Sequence, residues 1–305
     1  MSLVSHYAAS AAKKLAGFWI FLILLSGFCG SPSVFGQASV PEPSAGREPA
    51  PPFAAAYAKN GKNLCYISSV HQVSAESTAF KLIRDRFRTV NPQVVLVEGF
   101  PAASGISPGS LVEYVRRHSK DKNLDESVYA ASLAIEAGDE FIGGEPSPDE
   151  MKGGLGAKGF AMRDLFGYLV VRQIPVWKRL GKNDFRGLFH DFAKNMETAY
   201  KFDDSALMSR RAFESWYERA NKKKFDFDGI TPAEAGPVTD GALLTQKIGV
   251  EMDRIREESI LKTLKDMTAR FDRIMVVYGA QHYQNEREEL SEIFGPPEFF
   301  TLPAR

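Results

Sequence analysis

Cysteine is nearly missing from this 305-residue chain, which has only Cys29 and Cys65. If the N-terminal segment is removed, as its pattern implies, Cys65 alone remains. No intrachain disulfide can then staple the fold, and stability must come from a buried core. Excess charge of either sign is missing too, with 38 Lys plus Arg against 38 Asp plus Glu. That balance excludes the basic footprint of a nucleic-acid-binding surface. Histidine is scarce, at five residues, so where each one falls carries information. The Gly-rich stretch "KGGLGAKGF" (Lys152 to Phe160) lacks the Gly-Lys-Ser/Thr of a phosphate loop and the strand–turn–helix setting of a dinucleotide site. It reads as a mobile loop.

The apolar run "LAGFWIFLILLSGF" spans about fourteen residues and follows Lys13 and Lys14. It is short for a membrane span, which needs about 20 residues, and has the basic and apolar regions of a secretory signal. "GQA" (Gly36 to Ala38) places small residues at −3 and −1 of a cleavage site, giving a signal peptide over 1–38. Cys29 raises a lipoprotein alternative, although Phe28 stands where a lipobox wants a small residue. An uncleaved anchor is the other alternative, and it offers the one route to membrane association. Residues 39–52, "SVPEPSAGREPAPP", read as a Pro/Ala-rich linker without hydrophobic periodicity. Residues 53–305 are then long enough for one large α/β domain that buries most of its apolar surface.

Along that domain, Leu64 to Ser68 reads as the first strand. A helix from about Ala75 to Val90 follows, capped by Ser74, with Ala79, Phe80, Ile83 and Phe87 on one face and Asn91-Pro92 as its stop. "QVVLVEGF" is a continuous apolar run typical of a strand covered on both faces. Helices are expected around Leu111 to Arg117 and over Glu126 to Ala137, the latter between Asp125 as cap and Gly138 as stop. "EFIGGEPS" is a further strand. This alternation predicts an α/β fold, with a central, mostly parallel sheet flanked by helices. A largely helical insertion is expected over about 162–222, interrupted at Pro175. A long helix over about Leu243 to Phe271, the strand "RIMVVY" and a short last strand in "GPPEFFTLP" complete the chain. Phe185, Phe189, Phe192, Trp216 and Tyr217 fall at helical spacing, which favours a core over a pocket lining.

Four polar residues, His71, Glu98, Glu145 and His282, each follow a predicted strand. In an open α/β sheet the carboxyl ends of the strands form the ligand crevice, so residues scattered in sequence can meet there. Taken singly, each has a structural reading, as a turn residue bonded to backbone or a cap of the next helix. Together, two imidazoles and two carboxylates suit a divalent metal or an acid/base set around a scissile bond. Charged groups closing apolar strands also cost desolvation unless paired or coordinated. His118 and His190 fall in helical contexts and read as surface or packing residues.

These motifs resemble, as an ordered set, the TraB/GumN/TIKI group of a superfamily that includes the erythromycin esterases and the ChaN haem-binding lipoproteins. "VYGAQH", with Gly279 and His282, is similar to the C-terminal Gly-x-x-His motif. "ISSVH" matches the N-terminal one in part, because Ser68 stands where the group prefers Gly. "VVLVEG" and "IGGEP" are similar to the two acidic motifs, and "RIREESILKTLKDM" resembles the helix whose arginine, here Arg256, faces the site. The resemblance spans most of the mature domain but not the helical middle, and each motif is short.

The resemblance implies an exported hydrolase, periplasmic or secreted, that cleaves an amide or ester bond in a peptide or small molecule. Its catalytic set would be Glu98, His71, His282, Arg256 and Glu145. Glu98 would activate water or hold a metal, His71 and His282 would ligate the ion or polarise the carbonyl, and Arg256 would steady the oxyanion or orient a carboxylate. The implied metal ligands are His71, Glu98 and His282, around a Mn, Co or Zn type of ion. A haem- or iron-binding protein of the ChaN type is the second reading, and a degenerate envelope interaction module the third; only Ser68 favours the last. The export reading predicts a mature N-terminus near Ser39 in protein recovered from the cell envelope. N-terminal sequencing checks it, with an intact Met1 favouring the anchor and a modified Cys29 the lipoprotein.

Overall fold

A computed structural model describes residues 48–102, 108–121, 124–203 and 206–302. The signal segment and most of the linker lie outside the described residues. Among the described residues no helix is long and apolar enough to cross a membrane. The chain divides into two compact units; the first runs to Glu145 and resumes at Ser259, and the second is Pro146–Glu258.

The first unit is an α/β structure on a six-stranded sheet. Its strands are β1 (Phe53–Lys59), β2 (Lys62–Ser69), β3 (Val94–Pro101), β4 (Glu140–Glu145), β5 (Arg273–Gly279) and β6 (Glu298–Phe300), in the order β4-β3-β5-β2-β1-β6. β4, β3, β5 and β2 run parallel, while β1 is antiparallel to both β2 and β6. The expected first strand is therefore the second. β1 forms a hairpin with it through Asn60 (φ 55°) and Gly61 (φ 79°), an Asn-Gly pair suited to a two-residue turn with both residues left-handed.

Helices α1 (Thr78–Val90), α2 (Pro108–His118) and α3 (Glu126–Ala137) follow the expected spans closely. The N-cap position of α1 is Ser77 rather than Ser74, and Asn91 closes it at φ 47°. Asp125 caps α3 by accepting the Val128 amide, and Gly138 ends it in the left-handed region. Because side chains alternate across a strand, each strand feeds two cores. Tyr66, Leu96 and Val276 belong to the core that also holds Ile260, Leu264, Tyr283 and Leu290. The intervening Cys65, Val95 and Met275 are equally buried and face the other way. Burial pushes the Cys65 thiol up to about 12, so it is an inert packing residue.

The second unit is helical. It holds α4 (Pro148–Ala157), α5 (Met162–Arg179), α6 (Phe185–Tyr200), α7 (Arg210–Asn221), the single turn α8 (Pro232–Ala235), and α9 (Leu244–Thr268) as far as Glu258. Phe185, Phe189, Phe192, Trp216 and Tyr217 are all buried in its core, as helical spacing implied. Two expectations need correction. α5 continues through Pro175, since its residues from Leu165 to Trp177 are all buried and tertiary packing outweighs the lost hydrogen bond. The Gly-rich stretch is mostly helix, because Pro148 starts α4, Ser147 and Glu150 close a reciprocal capping box, and Met151 and Leu155 are buried.

α4 yields a direct check. A Cβ at Gly153 or Gly156 would meet no atom within 4 Å. Gly153→Ala and Gly156→Ala should each stabilise the protein by about 0.5–1 kcal/mol, the glycine penalty inside a helix. Chemical denaturation measures this, and no gain at either position would restore the loop reading.

Candidate functional site

All four strand-end residues of the sequence reading fall in the first unit, at the carboxyl ends of the parallel strands. β5, late in the chain, is inserted between β2 and β3, so the first and last parallel strands are neighbours. Ser69 of β2 pairs with Gly279 of β5. This adjacency brings together the segments carrying His71 and His282.

Glu98 is the centre of the arrangement. It is 2% exposed, and the shift in register between Val97 and Pro101 marks an irregularity in β3 where its carboxylate sits. The Gly279 amide donates to Glu98 Oε2 at 2.8 Å, tying the end of β5 to that of β3. His282 Nε2 lies 3.3 Å from Glu98 Oε1, with both side chains buried. His282 is not in a turn: Gly279 is the N-cap of α10 (Ala280–Phe294), and the imidazole stands in that helix's first turn. Glu286, also buried, is one turn further along, and a ring nitrogen of His282 lies within 4.8 Å of one of its carboxylate oxygens. The Tyr278 ring and the His282 imidazole stand nearly perpendicular, with their centroids 5.3 Å apart.

Tyr278 also links the two Gly-containing motifs. Its hydroxyl reaches over β3 and accepts the Gly144 amide of β4 at 3.0 Å. Any Cβ at Gly144 would come within 2.5 Å of that oxygen. Glu145 closes β4, buried, and accepts weakly from the Gly99 amide at 3.4 Å.

His71 approaches from the other side. A Cβ on Gly279 would lie 2.8 Å from His71 Nε2 and 3.3 Å from Glu98 Oε2, so the bare glycine is the gap into which both groups project. The left-handed residue in this turn is His71 itself, at φ 55°, whereas Ser68 is an ordinary buried strand residue. Serine at that position therefore needs none of glycine's backbone freedom, and it does not misplace the ring. Strain of this kind in a non-glycine residue concentrates at functional sites. The His71 side chain is 30% exposed, which makes it the group of this set that meets solvent.

Glu126, which the sequence reading treated only as a helix start, also belongs here. It is buried, its Oε1 accepts the Gln72 amide at 3.0 Å, and its Oε2 lies 4.0 Å from His71 Nδ1. Burial raises the Glu126 carboxyl, as does the Glu98 charge; His71, Ser69 and the Gln72 amide oppose the shift. The neighbouring Asp125 is raised chiefly by burial as well, against its bonds to the Val128 and Ser127 amides. The available signal was an acidic pair opening a helix that packs on β3 and β4; nothing in the spacing tied it to His71.

Arg256 stands on α9 within the second unit, buried, with Asp253 at 4.0 Å. The convergence of His71, Glu98, Glu145 and His282 is a property of the first unit alone. His118 pairs with Asp121 at 2.7 Å on the surface, and His190 is exposed, as their helical settings implied.

Gly279→Ala tests the gap. Gly279 has φ −59°, so alanine meets no backbone penalty there, only the ends of two site side chains. The melting midpoint should correspond to a loss of about 1 kcal/mol or less, below the usual range for overpacking a rigid core. The histidine NMR signal of His71 should nevertheless move clearly. An unchanged His71 signal would mean that the ring does not occupy this gap.

No family model, no curated protein and no solved structure matches this chain.

Proposed function

We propose that the protein is an exported, metal-assisted hydrolase of amide or ester bonds, peptidase-like, acting on a peptide or small molecule. The observation that carries this reading is the buried Glu98 carboxylate, held by the Gly279 amide at 2.8 Å, with His282 Nε2 3.3 Å away and His71 projecting beside it. A buried carboxylate with imidazoles beside it at the mouth of parallel strands suits proton transfer at a reacting carbonyl.

One pair of donors has the spacing for a divalent ion. Two ligands on one tetrahedral ion, each at about 2.0–2.1 Å, stand about 3.3 Å apart, and His282 Nε2 and Glu98 Oε1 are separated by 3.3 Å. Glu286, with an oxygen within 4.8 Å of a His282 ring nitrogen, makes a second possible pair of ligands on that imidazole. Nitrogen and carboxylate ligands suit zinc, manganese or cobalt more than a soft, thiolate-preferring ion. When bound, the ion would polarise the carbonyl and acidify water.

The chain's own groups do the rest. Glu98 takes the proton of the attacking water as its oxygen bonds to the carbonyl carbon, and returns it to the leaving amine or alkoxide. The Gly279 amide is already committed to Glu98, so it orients the base and does not serve as an oxyanion donor. His282, on the buried side, would share the ion with Glu98. His71, at the solvent edge, would offer the lone pair of its Nε2 to the ion. Export rests on the N-terminal pattern alone.

Glu98→Gln keeps volume and removes charge, so the fold should survive while turnover falls roughly a hundredfold or more. His282→Ala should do the same and should lower bound metal. The exposed His190 gives a control, and His190→Ala should change little. The measurement is a panel of ester and peptide substrates, with and without chelator and added divalent ions, beside thermal melts and metal analysis. Equal turnover in wild type and Glu98→Gln would overturn the role of Glu98. A Soret band on haem addition, with no turnover on any substrate, would replace the hydrolase by the binding-protein reading.

A further inference from the structure

His71 is held from two sides, and the hydrolase reading uses only one of them. Its Nε2 projects beside Gly279 and Glu98, toward the proposed chemistry. Its Nδ1 faces Glu126, whose carboxylate lies 4.0 Å away. That is beyond a direct hydrogen bond but within the reach of a one-water bridge, or of a contact that tightens when a substrate arrives.

Glu126 also grips the chain on either side of His71. It accepts the Gln72 amide at 3.0 Å, and the Ser69 hydroxyl lies close enough to bond the same carboxylate. The Gln72 side chain continues the clamp, its Oε1 accepting the Ala79 amide of α1 at 2.9 Å. Ser69 is the last residue of β2 and pairs with Gly279, so the segment is pinned to the sheet at one end and to α1 at the other. Between these points His71 keeps its left-handed backbone, at φ 55°. A bare loop would relax such a residue, so an anchor must hold it. Glu126 is itself fixed as the first residue of α3, directly after the capping Asp125.

We propose that Glu126 is the positioning residue for His71: its carboxylate clamps the loop and keeps the ring proton on Nδ1, leaving the Nε2 lone pair free toward the Gly279 gap. A neutral imidazole carries one proton, and a carboxylate facing Nδ1 draws it to that side. Nε2 is then an acceptor or ligand, the state the hydrolase reading requires of it. Glu126 acts through the ring and touches no substrate. This inference rests on that reading for its purpose, but its test does not.

The experiment is long-range ¹⁵N–¹H NMR on the full chain with ¹⁵N-labelled histidine, in chelator and at about pH 8, above the usual imidazole range. His71→Gln identifies the His71 signal. Wild type should show His71 as the Nδ1–H tautomer. In Glu126→Gln, where the clamp oxygen stays and the charge is lost, the signal should shift to a mixture or to Nε2–H. Any turnover should fall about tenfold or more in kcat, the usual scale for losing a carboxylate behind such an imidazole, with KM little changed, and Glu126→Asp should restore part of both. A wild-type Nε2–H tautomer would overturn the proposal, even if Glu126→Gln fails to fold. An unchanged His71 signal in a folded Glu126→Gln protein would overturn it as well. Absence of turnover on every substrate would count against the hydrolase alone, because the ring spectrum needs no reaction.

Discussion

The Glu98 carboxylate is buried at the end of β3, and the arrangement of the first unit's strand ends depends on how that burial is made tolerable. A buried carboxylate with no partner costs several kcal/mol. Here one oxygen takes the Gly279 amide at 2.8 Å and the other lies 3.3 Å from His282. Both partners come from the junction of β5 and α10. Placing β5 next to β3 therefore satisfies the acid and sets the register of the two strands at the same point. The same amide would otherwise be an unbonded donor at a helix start.

From this contact the other groups take their places. Gly279 leaves open the space into which the ends of His71 and Glu98 both project. Gly144 must be bare because the Tyr278 hydroxyl, one residue before Gly279, occupies the space above it. Two short motifs distant in sequence are thus halves of one packing arrangement, with Tyr278 spanning them and its ring packed against His282. The third support comes from α3. Glu126 reaches the loop after β2 and holds His71 in a backbone conformation it would not keep alone.

The proposed chemistry uses this rigidity. His282 and Glu98 are deeply buried, whereas His71 is partly exposed. Buried groups hold the base in a fixed orientation and strengthen its electrostatics, and the exposed ring is the one a substrate can meet. Glu126 adds a second carboxylate behind that ring, so the site has an interior carboxylate for the proton and a lateral one for alignment.

The strands β2 to β6, the helices α1, α2, α3 and α9, and the helical character of residues 162–222 (though not the run of α5 through Pro175) were legible in sequence, because period-2 and period-3.6 patterns and capping residues such as Asp125 and Gly138 act over a few neighbours. The buried aromatics of the second unit were legible for the same reason. Missed local features had local signals: Asn60-Gly61 announced the β1–β2 hairpin, and Ser147-Pro148 with Glu150 announced α4. The placement of His71, Glu98, Glu145 and His282 at strand ends was also readable, since a parallel sheet gathers its carboxyl ends at one edge. What the chain order could not express was the insertion of β5 between β2 and β3, which makes residues 71 and 279 neighbours. Nor could it tell that His71, not Ser68, takes the left-handed backbone, or that Glu126 stands behind it. Those features depend on contacts between residues tens to hundreds of positions apart. Such contacts come from packing and hydrogen-bond satisfaction across the whole unit, and no local periodicity records them.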